Sequence, residues 1–229
     1  MKRFYREAAA APAAGGVAVL LDARRVKTPA RNALELPTEE LAEAIAAEWN
    51  GQGEEIDPRA MPLTGLANAA IDRVAPDPAA FAAGLARYGE SDLLCYQAEG
   101  PQPLVDRQAA AWDPILAWAR RRYDVDFAVT VGIVHTPQPA STIERLAAAV
   151  GARDPFRLAA LSPLVTISGS LLIALALAEG EIGVDAAWRA ATVDEAWQAE
   201  QWGEDPLAKE ALANRRREFE AAYRFLTLL

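Results

Sequence analysis

Few residues in this chain have the chemistry that catalysis requires. It contains one histidine, His135, and one cysteine, Cys95. A Ser-His-Asp or Cys-His mechanism would have to use His135. That histidine follows the apolar run Val131 to Val134, and nothing in its surroundings indicates a catalytic role. Cys95 stands between Leu94 and Tyr96, a setting typical of a small buried hydrophobic residue.

Motifs for metals and nucleotides are also missing from the sequence. One cysteine and one histidine cannot build the usual zinc site. The chain has no GxxxxGK(S/T) phosphate loop and no GxGxxG after a strand, the patterns whose backbone amides hold phosphates. We therefore expect no metal, no nucleotide and no other cofactor.

Carboxylates concentrate between Asp194 and Pro206, in DEAWQAEQWGEDP. This stretch has five carboxylates, two of the six tryptophans and no basic residue. Its adjacent acids are able in principle to perform acid–base catalysis, given a polar cleft. A plainer interpretation is a helix–helix turn with tryptophans in the core and acids in water. The third interpretation is an acidic, aromatic-flanked docking corner for a basic partner surface.

Two helices are expected to position this stretch. Asp185 is a suitable N-cap for the first, and Gly203 a suitable glycine at its C-terminal end. Asp205-Pro206 has the N-cap and first-turn proline of the second. Spacings of seven, four and three place four residues on one helical stripe: Trp188, Glu195, Ala199 and Trp202. The helices then meet at a corner of four residues: Trp202, Gly203, Glu204 and Asp205.

The start of the chain predicts a small antiparallel β unit. The tract Ala8 to Ala14 is expected to be a flexible loop, and Asp22-Ala23 a tight turn. Thr38 is the expected N-cap of an amphipathic helix that buries Trp49 at its end. Four segments are expected to be strands: Phe4-Tyr5, Val17–Leu21, Arg24–Thr28 and Leu34–Leu36. Four clustered basic residues favour a protected edge strand, with a second contact surface as the alternative: Arg24, Arg25, Lys27 and Arg31.

From Leu63 onward the sequence predicts helices. The expected fold class is therefore α+β, with a small β-rich domain at residues 1–60 and an α-helical bundle domain at residues 61–229. Pro114 is expected to kink or restart its helix, with Asp113 as the new cap. A short helix is expected to begin at Asp154-Pro155. The 18 uncharged residues from Leu161 to Ala178 predict a buried central helix, since no basic flank anchors them as a membrane span.

Charge excludes several kinds of partner. With 23 Lys and Arg against 32 Asp and Glu, the net charge is −9. Nucleic acids and anionic membranes require a positive surface, so neither is expected to bind. A single cysteine fits a reducing compartment. The first residues show neither a secretory apolar region nor an Arg- and Ser-rich presequence.

Seven segments in series resemble the family of assembly chaperones for the alpha subunit of the F-type ATP synthase. Each segment alone is weak evidence, but their order along nearly the whole chain is specific. Ala23 departs from the glycine that the family has in its hairpin turn. The segments are RFYRE (3–7), LDARRVKTPARNALELPT (21–38), LAEAIAAEWNGQ (41–52), IDPRAMPLTGLANAAID (56–72), YGESDLLCYQA (88–98), QAAAWDPILAW (108–118) and DEAWQAEQWGED (194–205).

The resemblance implies a two-part fold and a chaperone that is not an enzyme. It implies binding of the free alpha subunit until that subunit pairs with the beta subunit. A bacterial, cytoplasmic member is expected, the eukaryotic relatives being in the mitochondrial matrix. An acidic adaptor for another basic partner, or a carboxylate-dependent small-molecule enzyme, is the alternative. The density of acids and aromatics, rather than the resemblance, predicts the partner-binding residues: Glu195, Gln198, Trp202, Glu204 and Asp205.

Overall fold

A computed structural model describes residues 1–203 and 205–229 of the chain. Glu204, one of the predicted partner-binding residues, lies outside the described residues. The chain divides into two compact units. The first comprises Met1–Pro78, Asp154–Ala160 and Ala221–Leu229, and the second comprises Ala79–Arg153 and Leu161–Glu220. The domain boundary expected between residues 60 and 61 stays a prediction.

Short strands near the start of the chain and helices after them confirm the predicted α+β class. The strands are β1 (Ala8–Ala13), β2 (Gly16–Leu21), β3 (Arg24–Arg25), β4 (Glu35–Leu36), β5 (Tyr96–Gln97) and β6 (Thr130–Val131). The α-helices are α1 (Glu39–Asn50), α2 (Pro62–Ala69), α3 (Pro78–Ala86), α4 (Gln102–Tyr123), α5 (Ala140–Gly151), α6 (Pro155–Ser168), α7 (Leu171–Ala178), α8 (Val184–Ala191), α9 (Val193–Trp202) and α10 (Pro206–Thr227).

The first sheet has the order β1-β2-β3, with β4 also pairing to β2, and all its pairings are antiparallel. The expectation of a flexible loop at Ala8 to Ala14 is wrong, because six of these residues form β1 in register with β2. Alanine has a low intrinsic strand preference, and the pairing with β2 overrides it. A strand at Phe4-Tyr5 is also wrong, since Lys2 forms an isolated bridge with Glu55 instead.

Helix α1 attaches the core of the first unit to this sheet. The hydroxyl of Thr38 accepts a hydrogen bond from the Leu41 N–H at 3.3 Å, which confirms the predicted N-cap. Leu41 and Ile45 are fully buried. Trp49 is half-buried and packs against the same core, with its ring 5.7 Å from that of Tyr5.

The core of the second unit is built around α7, whose residues Leu171 to Leu177 are all buried. A single helix from Leu161 to Ala178 is wrong. Gly169 has a φ of 68°, and the Ser170 hydroxyl accepts from the Ile173 N–H at 3.0 Å, so a new helix starts there. The short helix expected from Asp154-Pro155 instead continues to Ser168 as α6. None of the helices described has both the length and the apolar character to cross a bilayer.

Helix α4 passes through Pro114 without ending, so a restart capped by Asp113 is wrong. Proline costs the helix one backbone hydrogen bond. The neighbouring Trp112 is fully buried, and its indole N–H donates to the carbonyl of Ala190 at 2.8 Å. Tertiary packing therefore holds α4 in place on the N-terminal side of the proline.

The helix expected between Asp185 and Trp202 is in fact two helices, α8 and α9, separated at Thr192. The Thr192 hydroxyl donates to the carbonyl of Trp188 at 2.8 Å, a local bond that competes with helix continuation. Asp185 is not the N-cap, a position that Gly183 takes; Asp185 instead accepts from Arg216 at 2.6 Å. The break separates the two tryptophans of the expected stripe, so that Trp188 is buried and Trp202 is exposed.

Candidate protein-binding site

The end of α9 and the start of α10 form as their sequences predict. Gly203 ends α9 with a φ of 87°, which an L side chain rarely adopts, and its N–H donates to Ala199 O at 2.9 Å. The Asp205 carboxylate accepts from the N–H groups of Leu207 and Ala208 at 3.3 and 3.2 Å. These contacts confirm the predicted glycine end and aspartate N-cap.

Gln108 of α4 positions α9 against the segment that follows β5. This buried side chain accepts from the Ala98 N–H at 2.8 Å and donates to Asp194 at 2.7 Å. Next to it, the Arg107 guanidinium stacks over the Trp197 ring at 4.9 Å and pairs with Glu200 at 2.7 Å. The start of α9 is therefore held rigidly, while Trp202 at its end extends into solvent with 79% of its surface exposed.

A groove with a volume of about 460 Å³ lies beside α9, and we call it the Trp202 groove. One wall comes from α9 and carries Trp197, Gln198 and Trp202. A second part of the lining comes from the residues that follow β6, Gly132 and Ile133. The remaining lining is mainly apolar and includes Tyr96, Pro101 and Leu104.

A second, smaller groove of about 300 Å³ lies between α9 and the first turns of α10. Glu195 and Asp205 line it together with Leu212 and Arg215. Arg215 pairs with Glu195 at 3.4 Å and also donates to the carbonyl of Ile167 at 3.0 Å. The negative charge of Glu195 is thus partly neutralised inside the chain.

The structure divides the predicted site residues between these two grooves. Gln198 and Trp202 lie in the Trp202 groove, whereas Glu195 and Asp205 lie in the second groove. The adjacent carboxylates Asp194 and Glu195 point to different partners, Gln108 and Arg215, and do not face one another across a shared cleft.

The sequence analysis missed an exposed apolar segment that begins in the short strand β6 and continues beyond it. Ile133 is 96% exposed, Val134 is 74% exposed and Val131 is 57% exposed. Its signal in the sequence is an uncharged, β-branched run. Ile133 lines the Trp202 groove, and large exposed apolar residues beside a groove are typical of protein-binding surfaces.

The two residues considered for nucleophilic chemistry do not form a catalytic pair. Cys95 is buried, and burial together with the charge of Asp92 raises the pKa of its thiol to about 12. The exposed His135 makes a hydrogen bond of 3.0 Å between its Nδ1 and the Tyr96 hydroxyl. Within the described residues, no cluster of three or more His, Cys, Asp or Glu side chains could hold a metal ion.

The fold places the chain among two-part α+β proteins, and comparison with known proteins identifies the family. The family model described as ATP12 chaperone protein matches residues 2–120. The chain belongs to this chaperone family, which acts in the assembly of ATP synthase. The resemblance noted from the seven segments is confirmed.

Solved structures and a curated relative agree with this assignment. The crystal structure of Atp12 from Paracoccus denitrificans is 44% identical, with a TM-score of 0.94 over 99% of this chain and 97% of that chain. The Atu1473 protein of Agrobacterium tumefaciens is 40% identical, with a TM-score of 0.95 over 99% and 85%. Protein atp12, mitochondrial, of Schizosaccharomyces pombe is 24% identical over 214 residues, 88% of this chain and 74% of the relative.

Proposed function

We propose that this chaperone binds the unassembled alpha subunit of the F-type ATP synthase. It covers the interface of that subunit, prevents aggregation and transfers the subunit to the beta subunit during assembly of the catalytic head. The observation that carries the proposal is the exposed Trp202 at the edge of an apolar groove, in a chain of the ATP12 chaperone family. We also infer a cytoplasmic, bacterial location and no catalytic turnover.

Apolar contact is the main source of affinity in this proposal. An unassembled subunit exposes an apolar interface that favours aggregation. Tryptophan is enriched among the residues that dominate binding energies, because it buries a large, rigid surface. Trp202 and Ile133 border the same groove and are largely exposed, so a partner segment in the groove would bury both.

Negative charge supplies orientation rather than most of the affinity. The chain has a net charge of −9, and its α9–α10 corner carries Glu195, Asp205 and, by sequence, Glu204. Complementary charge accelerates encounter and excludes partners with like charge. Because the chaperone makes no covalent bond, the beta subunit releases the client by competing for the same face through mass action.

Co-expression is the direct test of this function. The alpha subunit is produced with and without the chain, and its soluble fraction and co-purification are measured. We expect the alpha subunit to remain soluble and to co-purify only when the chain is present. If the alpha subunit precipitates equally in both cases, the proposed function is wrong.

A charge reversal tests the docking corner separately from the function. Glu204→Lys should abolish capture of the alpha subunit and leave circular dichroism and the melting temperature unchanged. A variant that folds and still captures the alpha subunit would remove Glu204 from the site. Capture of a different protein in place of the alpha subunit would favour the adaptor alternative.

A further inference from the structure

The short strand β6 has one edge without a partner strand. It pairs only with β5, in parallel, and this pair forms a sheet of two strands. Among residues 1–203 and 205–229, no other strand lies against β6. The segment Val129 to Val134 contains no charged residue and no proline, the features with which proteins commonly prevent unwanted pairing at an edge.

The hydrogen bonds between β5 and β6 show which residue of β6 has backbone groups that point away from β5. The Gly132 N–H donates to the Gln97 carbonyl at 2.8 Å, so the N–H of Gly132 faces β5. Successive residues of a strand direct their backbone groups to opposite sides. The N–H and C=O of Val131 therefore face away from β5, and within the described residues they have no hydrogen-bond partner.

This edge is continuous with the Trp202 groove. Gly132 and Ile133, which directly follow β6, line the groove together with Trp202 of α9. An extended chain paired with Val131 would therefore place its side chains beside Ile133 and Trp202. In such strand addition, backbone hydrogen bonds provide affinity and the neighbouring pocket provides specificity.

Charge determines what kind of segment fits. Glu99 lies beside the groove, with a carboxylate oxygen 3.2 Å from where a Cβ on Gly132 would be, and Asp194 lies in its lining. Arg107 is already paired with Glu200 at 2.7 Å. The groove is thus apolar with an acidic margin. A second copy of the chain would bring the same acids and a net charge of −9 to this margin, so like charge disfavours it.

We infer that β6 is a strand-addition site for the client. An extended, apolar segment of the alpha subunit that carries Lys or Arg pairs with the free edge at Val131 and lays its side chains in the Trp202 groove. The inference rests on the proposed function and adds how the client is held. It assigns the backbone of Val131 to recognition of the client and the side chain of Ile133 to the lining of the groove.

The test compares two substitutions at Val131 and follows one amide. Val131→Pro removes the outward N–H and leaves the bond from Gly132 to Gln97 intact, and proline is tolerated at strand edges. Val131→Thr is the matched control, since it keeps the N–H and the β-branched shape. Val131→Pro loses one backbone hydrogen bond to the client and disturbs the adjacent ones, so it should bind purified alpha subunit about 10-fold more weakly or worse. Val131→Thr keeps these bonds, so its binding should weaken less than about 2-fold.

Hydrogen exchange of the wild-type chain gives the same answer without any substitution, even if Val131→Pro fails to fold. The Val131 amide should exchange rapidly in the free chain and become protected when the alpha subunit binds. The Gly132 amide, bonded to Gln97 in both states, is the internal reference. If the alpha subunit binds but Val131 exchange is unchanged and both variants bind equally, the inference is wrong and the proposed function stands.

Two further outcomes also reject the strand-addition site. If the alpha subunit does not bind the wild-type chain at all, the proposed function fails and this inference fails with it. If sedimentation shows a dimer of the free chain that Val131→Pro dissociates, the occupant of the edge is a second copy and not the client.

Discussion

Two sheet edges in this protein differ in the charge of their side chains. In the first unit, β3 ends the β1-β2-β3 order and consists of two exposed arginines, Arg24 and Arg25. In the second unit, β6 ends a two-stranded sheet and lies within an uncharged, β-branched run. Basic side chains on an edge oppose pairing with another chain, whereas an apolar edge permits it. The difference predicts that β3 is protected from association, unless its arginines form a second contact surface, and that β6 is available for pairing.

Placing basic side chains on β6, as on β3, should have the largest effect on binding of the alpha subunit. We expect Val131→Lys combined with Ile133→Lys to weaken capture of the alpha subunit about 100-fold or more, through desolvated charge and repulsion of a basic client segment. Both side chains are exposed, so circular dichroism and melting should not change. Val134→Lys, at an exposed position that does not line the groove, is the control. Equal binding of the double variant and the control would contradict the comparison of edges.

The stability of the fold around Asp92, four residues before β5, should depend on pH. Asp92 is fully buried, and burial raises its pKa to about 6, although it accepts hydrogen bonds from Ser170 Oγ, Leu172 N–H and Leu94 N–H. The folded chain then binds a proton more tightly than the unfolded chain does. The stabilisation from this group is therefore complete below about pH 4 and is lost as the pH rises through about 6.

Urea unfolding at several pH values measures this effect. The contribution of Asp92 to the free energy of unfolding should fall by roughly 3 kcal/mol between pH 4 and pH 7. Asp92→Asn does not titrate, so the difference between wild type and this variant isolates the contribution. If both proteins show the same pH dependence, the pKa of Asp92 is not raised.

A substitution on the α9 side of the Trp202 groove should weaken binding of the alpha subunit slightly less than the double substitution at the β6 edge. Trp202→Ala should weaken binding of the alpha subunit about 30-fold, which corresponds to about 2 kcal/mol for the loss of an exposed aromatic anchor. Leu207→Ala is the matched control, because Leu207 is 75% exposed but does not line either groove. Titration calorimetry with the purified alpha subunit distinguishes the two, and an equal loss would indicate a general apolar surface instead of this groove.

The smallest effect on stability is expected from replacing the two arginines of β3 with apolar residues, as in β6. Arg24→Val combined with Arg25→Val removes one weak ion pair, Arg25 to Glu35 at 3.6 Å, which is worth about 0–1 kcal/mol at the surface. The melting temperature should change little. Light scattering should show more self-association at high protein concentration. An unchanged scattering profile would mean that the arginines do not protect this edge.

Several features that depend only on neighbouring residues were predicted correctly from the sequence, although the caps expected at Asp113 and Asp185 do not form. The N-caps Thr38 and Asp205 and the helix end at Gly203 all form, because a cap needs only a side chain and the next few backbone groups. The segment from Leu171 to Leu177 is buried for a similarly simple reason, since none of its side chains carries a polar group. The order of seven short segments was sufficient to recognise the family.

Features that depend on distant contacts were predicted less well. The alanine tract forms β1 only because β2 supplies its hydrogen-bond partners. The predicted stripe from Trp188 to Trp202 assumed one helix, and the bond within the turn at Thr192 separates them into a buried and an exposed tryptophan. Of the predicted site residues that the structure describes, Glu195 and Asp205 line one groove, and Gln198 and Trp202 line the other.

The amino-acid order by itself determined the fold class, the family, the caps at Thr38 and Asp205 and the acidic character of this chaperone, because each follows from composition or from contacts within a few residues. Only the tertiary structure decided which apolar residues remain in solvent. Gln97 and Val131 are far apart in the chain, and their pairing creates both the free edge and part of the lining of the Trp202 groove. Exposure of this kind depends on what the rest of the chain leaves uncovered, and no local pattern records it.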